Sequence, residues 1–246
     1  MFEIKQKPGA GVTMIELLVA TTVLAMLLTA VFSVFRSGSR SFSSGSWRIQ
    51  NQKLLQVFLA RLKDYLEKAN YAHEIGKDGN LAKQELPICI NKNALGKDLN
   101  VRGTNTDLLF FGVTESYKQG QPDYGVPTKN GSWLGVGLFS RGSKLILKAE
   151  GDWDKFAADC APPAEIRPAD QVKFPGRNNM EINISLDDVE SVTIGKPTTV
   201  SAEKENGHMK IKVTLRQYEG SKPTESFISE EIGVSLIEPN PSVQEF

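Results

Sequence analysis

The chain has little cysteine, little histidine and no excess charge of either sign. Its 246 residues include two cysteines and two histidines, and 29 basic side chains balance 29 acidic ones. Two cysteines are too few for a disulfide-built miniprotein or a four-thiolate zinc site, and two histidines leave little material for acid–base chemistry. Because a protein that binds nucleic acid through its phosphates needs a basic excess, we predict no nucleic-acid partner.

Proline is absent from a long N-terminal stretch. None occurs between Pro8 and Pro87, and eleven of the twelve prolines lie between Pro87 and Pro241. Since proline interrupts helices and marks turns, the first third of the chain is free to be helical and the remainder is divided by turns.

An apolar segment at residues 12–35 contains 18 apolar side chains among 24 residues, with Glu16 as its one charge. Residues 17–35 are uncharged and would form a helix of about 28 Å, close to the hydrocarbon thickness of a bilayer. A signal peptide has a shorter apolar core followed by a small-residue cleavage site. The segment therefore predicts a membrane-spanning helix at residues 12–35.

Glu16 is out of place in such a segment. An acidic side chain at the centre of a bilayer costs roughly 2.5–3.5 kcal/mol, and less near the headgroups. From its position alone, Glu16 either stays hydrated near the headgroups or has a partner and a function.

The residues around Glu16 resemble a known processing site. Gly11, Val12 and Thr13 follow a short leader with two lysines and precede Glu16 and the long apolar helix. This pattern resembles the processing site of type IV prepilins and type II secretion pseudopilins. The resemblance implies that a membrane-embedded aspartic peptidase cuts after Gly11 and methylates the new N-terminus at Val12.

The resemblance also implies a role for Glu16, which would be the fifth residue of the mature chain. Cleavage leaves a positive amine on Val12 beside a helix N-terminus in a medium of low dielectric constant, where an unpaired charge is costly. A carboxylate one turn away, on the same chain or on a neighbouring subunit, can neutralise that amine. Glu16 would thus be a subunit-docking residue, and we predict no catalytic residue.

The chain is thereby divided into four segments: a leader peptide at 1–11, a transmembrane and assembly helix at 12–35, a linker with an amphipathic helix at 36–75, and a globular β-rich domain at 76–246. The peptidase acts on the cytoplasmic face, so the N-terminus would be cytoplasmic before processing. We expect a single-pass inner-membrane protein whose globular domain is periplasmic or extracellular and which is assembled at a filament tip.

The segment following the apolar run is ambiguous. Residues 36–47 contain Gly38, Gly45 and six serines, which are poor helix formers. A flexible linker and a helical segment that can melt are both consistent with this composition. From Arg48 to Tyr71, apolar residues recur at helical spacing and predict an amphipathic helix: Leu55, Phe58, Leu59, Leu62, Tyr65, Leu66 and Ala69.

Beyond residue 76 the pattern changes to short apolar or alternating runs, which are typical of strands. They lie at residues 108–113, 133–139, 144–149, 180–186, 189–194, 209–215 and 227–236. One long helix packed on an antiparallel sheet is an α+β, pilin-like fold. The length of the globular part is most similar to that of the J-type minor pseudopilins.

The resemblance implies a non-enzymatic minor pseudopilin, a structural subunit of the tip complex that primes pseudopilus assembly for protein export. Its partners would be the prepilin peptidase and methyltransferase, inner-membrane lipid, and other minor and major pseudopilins or pilins that bind through their N-terminal helices. A minor pilin of a type IV pilus and a membrane-anchored binding protein or enzyme are the alternatives.

Few other residues suggest a site. Cys89 and Cys160 could form a disulfide outside the cytoplasm or remain buried thiols, whereas a zinc site with His73 and His208 lacks closely spaced ligands. The acidic pairs at 152/154 and 187/188 lack the six oxygens of a calcium loop, and glycines 135, 137 and 142 favour strand and turn over a dinucleotide loop. We predict no metal and no cofactor.

Overall fold

The structure is a computed structural model, and it describes residues 13–69, 74–75, 81–82, 87–116, 131–166, 176–177, 182–196, 208–219, 222–236 and 242–246. The chain divides into two compact units, residues up to Trp47 and residues from Arg48 onward. The division falls inside the segment predicted as linker and amphipathic helix.

Helix α1 runs from Met14 to Glu67 and includes 54 residues. It contains Gly38 and Gly45, so residues 36–47 are helical and the linker alternative is not what the structure shows. The predicted amphipathic helix is confirmed up to Glu67, four residues short of Tyr71. Its apolar face is buried, at Leu55, Phe58, Leu59, Leu62, Tyr65 and Leu66.

The remaining elements are mostly strands. They are β1 (Glu74–Ile75), β2 (Leu81–Ala82), β3 (Pro87–Ile90), β4 (Leu99–Asn100), β5 (Thr104–Ser116), β6 (Gly131–Gly142), β7 (Lys144–Glu150), β8 (Ile182–Leu186), β9 (Val189–Ile194), β10 (His208–Glu219), β11 (Lys222–Ser235) and β12 (Ser242–Glu245). Helix α2 (Trp153–Asp159) and a 3-10 turn (Ala164–Ile166) follow β7.

The strands form two main sheets where a single sheet was expected. The larger has the order β12-β3-β5-β6-β7-β8, the smaller has the order β11-β10-β9-β4, and β1 pairs with β2 alone. Among the strands that the structure describes, every pair is antiparallel except β12 with β3. The seven predicted strands are confirmed as β5 to β11, although Met180 lies outside the described residues. The α+β class is thus consistent with the structure.

Glycines of β6 make room for aromatic rings between the larger sheet and α2. A Cβ added to Gly137 would lie 2.9 Å from Cε1 of Phe110 and 3.2 Å from Cζ of Phe156. One added to Gly135 would lie 2.7 Å from Cη2 of Trp133. Phe110 and Phe156 meet edge to face, with ring centroids 6.1 Å apart. The prediction of strand and turn for these glycines is confirmed, and ring packing explains why they are glycines.

We expect Gly137→Val to destabilise the globular unit by about 1–3 kcal/mol, because the added methyl groups overpack a filled site. The matched control is Gly233→Val in β11, where nothing lies within 4 Å of an added Cβ. Thermal unfolding of both variants, followed by the circular dichroism of the strands, measures the difference. Equal melting temperatures would contradict this account of Gly137.

Candidate assembly site at the N-terminal helix

Thr13 and Glu16 are joined by reciprocal hydrogen bonds at the start of α1. The backbone N–H and the hydroxyl of Thr13 each donate to Oε2 of Glu16 at 2.9 Å, and the backbone N–H of Glu16 donates to Oγ1 of Thr13 at 3.3 Å. This is a capping box, in which two otherwise unpaired N–H groups at a helix start are satisfied by each other's side chains. The Thr-x-x-Glu spacing is its sequence signal, and the capping box was not among the predictions made from the sequence.

The capping box gives Glu16 a fixed position. Its carboxylate is held over the first turn, where the helix dipole favours a negative charge. The carboxylate accepts from the backbone N–H of Thr13, the residue that follows Val12 in the sequence.

Hydroxyl groups inside the apolar stretch have partners on the same helix. Oγ1 of Thr22 donates to the carbonyl of Leu18 at 2.7 Å, and Oγ1 of Thr29 donates to that of Ala25 at 2.8 Å. Thr21 donates to Leu18 as well, at 3.0 Å. Such bonds lower the cost of placing a hydroxyl in an apolar medium. These threonines are therefore compatible with a membrane-spanning helix.

The apolar side chains of this part of α1 are exposed. The large ones between Met14 and Phe35 have exposed fractions between 48% and 88%. Helix α1 is long and apolar enough to cross a bilayer, and the apolar window that meets this criterion has no buried residue in the described part of the chain. This fits anchoring by a single membrane pass. An apolar surface of this extent on a water-soluble chain would drive association.

The cleavage site itself lies outside the described residues. Gly11 and Val12 belong to the stretch before Thr13, so cleavage after Gly11 and methylation of Val12 stay predictions. The structure places Thr13 and Glu16 together.

Cys89 and Cys160 are brought into one buried cluster with Phe110 and Phe156. Sγ of Cys160 donates to the carbonyl of Phe156 at 3.2 Å. Burial, and next the charge of Asp107, raise the pKa of the Cys160 thiol to about 12. Since the thiolate is the reactive form, this thiol reacts slowly at neutral pH. Both cysteines are free thiols in the structure, and the disulfide stays a prediction.

The remaining candidates have structural explanations where they are described. Oδ1 of Asp152 caps α2 by accepting from the N–H groups of Asp154 and Lys155. Asp188 lies in the turn between β8 and β9 with a φ of 59°. Nδ1 of His208 is 3.2 Å from Oγ of Ser235, and His73 lies outside the described residues. Among the described residues, no group of three or more His, Cys, Asp or Glu side chains could hold a metal ion.

The chain was compared with family models, curated proteins and solved structures. It matches no family model, no curated protein and no solved structure.

Proposed function

We propose that this chain is a minor pseudopilin, a membrane-anchored subunit of the tip complex that primes assembly of a type II secretion pseudopilus for protein export. It is non-enzymatic, and it acts by packing its N-terminal helix against those of other subunits. The observation that carries the proposal is the capped carboxylate of Glu16 at the start of a long, exposed apolar helix. That carboxylate is five residues after Gly11, as the prepilin processing pattern requires.

The mechanism follows from the charges at the helix start. Cleavage after Gly11 creates an amine on Val12, and the partial positive charge of the helix N-terminus adds to it. Two positive charges in an apolar medium are costly, so a subunit gains stability where a carboxylate is near. Glu16, held in position by Thr13, supplies that carboxylate to its own chain or to a neighbour. Subunits would therefore join with their helix starts at a fixed relative height.

The proposal is tested by sequencing the mature N-terminus. When the chain is co-expressed with a prepilin peptidase, we expect mass spectrometry to find Val12 as the first residue, carrying one added methyl group. Gly11→Val should block cleavage because it replaces the residue before the scissile bond. Gly9→Val, a matched change in the same leader, should leave cleavage intact. An uncut chain, or a cut after residue 35, would refute the proposal.

A further inference from the structure

Helix α1 carries charge of one sign over most of its length. Between Leu17 and Lys63 it has no acidic side chain and six basic ones, which are Arg36, Arg40, Arg48, Lys53, Arg61 and Lys63. The whole chain has 29 basic and 29 acidic side chains, so this part of α1 departs from an even balance. Such a surface favours a partner of negative charge.

Two of the six basic residues lie directly beyond the apolar run. The uncharged residues end at Phe35, and Arg40 is about 6 Å farther along the helix axis than Arg36. The headgroup layer on each side of a bilayer is about 5–7 Å thick. When residues 17–35 fill the hydrocarbon core, Arg36 and Arg40 are therefore level with the headgroups, whereas Arg48 lies about 18 Å beyond Arg36.

Both arginines share one face of α1 with hydroxyl groups. At 3.6 residues per turn, Arg36, Arg40, Thr29, Ser33 and Ser37 fall within about 100° of the helix circumference. All five residues are exposed. An open groove of about 630 Å³ on this face is lined by the two arginines, by Phe32 and by hydroxyl-bearing side chains. We name it the arginine groove.

The chemistry of the arginine groove suits a phosphate group. Each guanidinium presents several N–H donors in a planar fork that matches phosphate oxygens, and a serine hydroxyl donates as well. In the described part of the chain, no ion pair includes Arg36 or Arg40. Their charges are therefore available to an anion from outside the chain.

We propose that the arginine groove binds the phosphate headgroup of an anionic phospholipid, in the leaflet that the C-terminal end of the span reaches. Arg36 and Arg40 bind the phosphate, and Phe32 lies at the level where the acyl chains begin. A lipid fits this groove better than a free phosphate ion, because only a lipid also covers the adjoining apolar surface. The bound headgroup fixes the depth of α1 in the membrane, since moving the arginines into the hydrocarbon core would be costly. The inference rests on the proposed function in one respect, namely that residues 17–35 cross a membrane.

Spin-labelled lipids test the arginine groove. The full-length chain is reconstituted in phosphatidylcholine vesicles that contain a trace of spin-labelled phosphatidylglycerol or spin-labelled phosphatidylcholine. Electron paramagnetic resonance then measures the fraction of each label that the protein immobilises. Both lipids have a phosphate, but only phosphatidylglycerol has a net negative charge. We expect the chain to prefer phosphatidylglycerol about thirtyfold, the factor for two basic side chains at a membrane surface.

Two double variants with the same change of charge locate the site. Arg36→Gln with Arg40→Gln should reduce the preference to near one. Arg48→Gln with Lys53→Gln removes two charges from the same helix at about 18 and 26 Å beyond Arg36, and should change the preference less than about twofold. Equal preferences in the two double variants would overturn the lipid site and leave an acidic protein surface as the partner of Arg36 and Arg40.

Added salts separate a lipid from a soluble ion. Inorganic phosphate at constant ionic strength should leave the preference unchanged, and a fall to near one would assign the groove to a soluble anion. Raising the ionic strength from about 0.15 M to about 1 M shortens the Debye length from about 8 Å to about 3 Å, and should weaken the preference. A preference that persists in full at the higher ionic strength would overturn recognition by charge.

Two further measurements on the same chain separate this inference from the proposed function. Alkaline carbonate extraction reports whether the chain is integral to the membrane, and mass spectrometry of the N-terminus reports processing. An integral chain without a preference for phosphatidylglycerol would overturn the lipid site alone. An uncut chain that keeps the preference would refute the proposed function and support the lipid site. Extraction of the chain by carbonate would overturn both.

Discussion

Glu16→Ala is expected to leave cleavage after Gly11 intact and to abolish incorporation of the chain into filaments. Without the carboxylate, the amine on Val12 has no partner in an apolar medium. A charge costs roughly 2.5–3.5 kcal/mol at the bilayer centre and less near the headgroups, so we expect incorporation to fall by up to about a hundredfold. Immunoblots of sheared filaments measure incorporation, and mass spectrometry of the N-terminus measures cleavage in the same cells.

Because Glu16 both caps the helix and carries a charge, a second variant is needed to separate these two roles. Glu16→Gln keeps an oxygen that can accept from the N–H and the hydroxyl of Thr13, but it removes the negative charge. If docking depends on charge, Glu16→Gln should fail as Glu16→Ala does. Incorporation of the Gln variant at the level of the parent chain would show that Glu16 serves only to cap the helix.

Thr13→Val is the matched control for these variants. It removes the hydroxyl from the capping box and keeps the charge of Glu16, at a cost of about 1 kcal/mol for a lost cap. We expect cleavage to persist and incorporation to fall far less than with Glu16→Ala. If Thr13→Val reduces incorporation as much as Glu16→Ala does, the loss in both variants is caused by the missing helix cap.

Elements with a strong local pattern could be predicted from the sequence. The apolar run without proline predicted α1 through residue 35, and spacing of three and four predicted its continuation to Glu67. Strict alternation from Met209 to Leu215 predicted β10, whose inward residues Met209, Ile211, Val213 and Leu215 are buried. In each case the period of the hydrophobic pattern matched the period of the backbone.

Long-range pairing could not be predicted in the same way. The parallel contact of Ser242 with Pro87 joins residues that are distant in the sequence, and no local pattern encodes which strands become neighbours. The division of the strands into two sheets also depends on pairing between distant residues, so no local pattern predicts it. The Thr13–Glu16 capping box, in contrast, has a local signal in the Thr-x-x-Glu spacing.

Lys148 shows how tertiary context overrides a local pattern. A lysine in a strand is usually exposed, yet the side chain of Lys148 is only 3% exposed. It pairs with Gly137 on the neighbouring strand. Its ammonium donates to the carbonyl of Lys155 at 2.9 Å and to Oδ2 of Asp159 at 2.6 Å. Lys148 therefore ties α2 to β7, and only the position of α2 reveals this role.

Lys148→Ala is expected to destabilise the globular unit by about 3 kcal/mol, since it leaves the acceptors on α2 without their partner and opens a cavity. For a unit of this size, that lowers the melting temperature by about 6–12 °C.

Lys144→Ala, on the same strand, removes a lysine whose side chain is 54% exposed and should shift stability by less than about 0.5 kcal/mol. Lys148→Met retains most of the packing and should fall between the two, because it opens no large cavity but still leaves the carbonyl of Lys155 and Oδ2 of Asp159 without their donor. Thermal unfolding of the full chain in detergent, followed by the circular dichroism of the strands, compares the three variants. If Lys148→Ala and Lys144→Ala have the same melting temperature, the contact between Lys148 and α2 does not stabilise the fold.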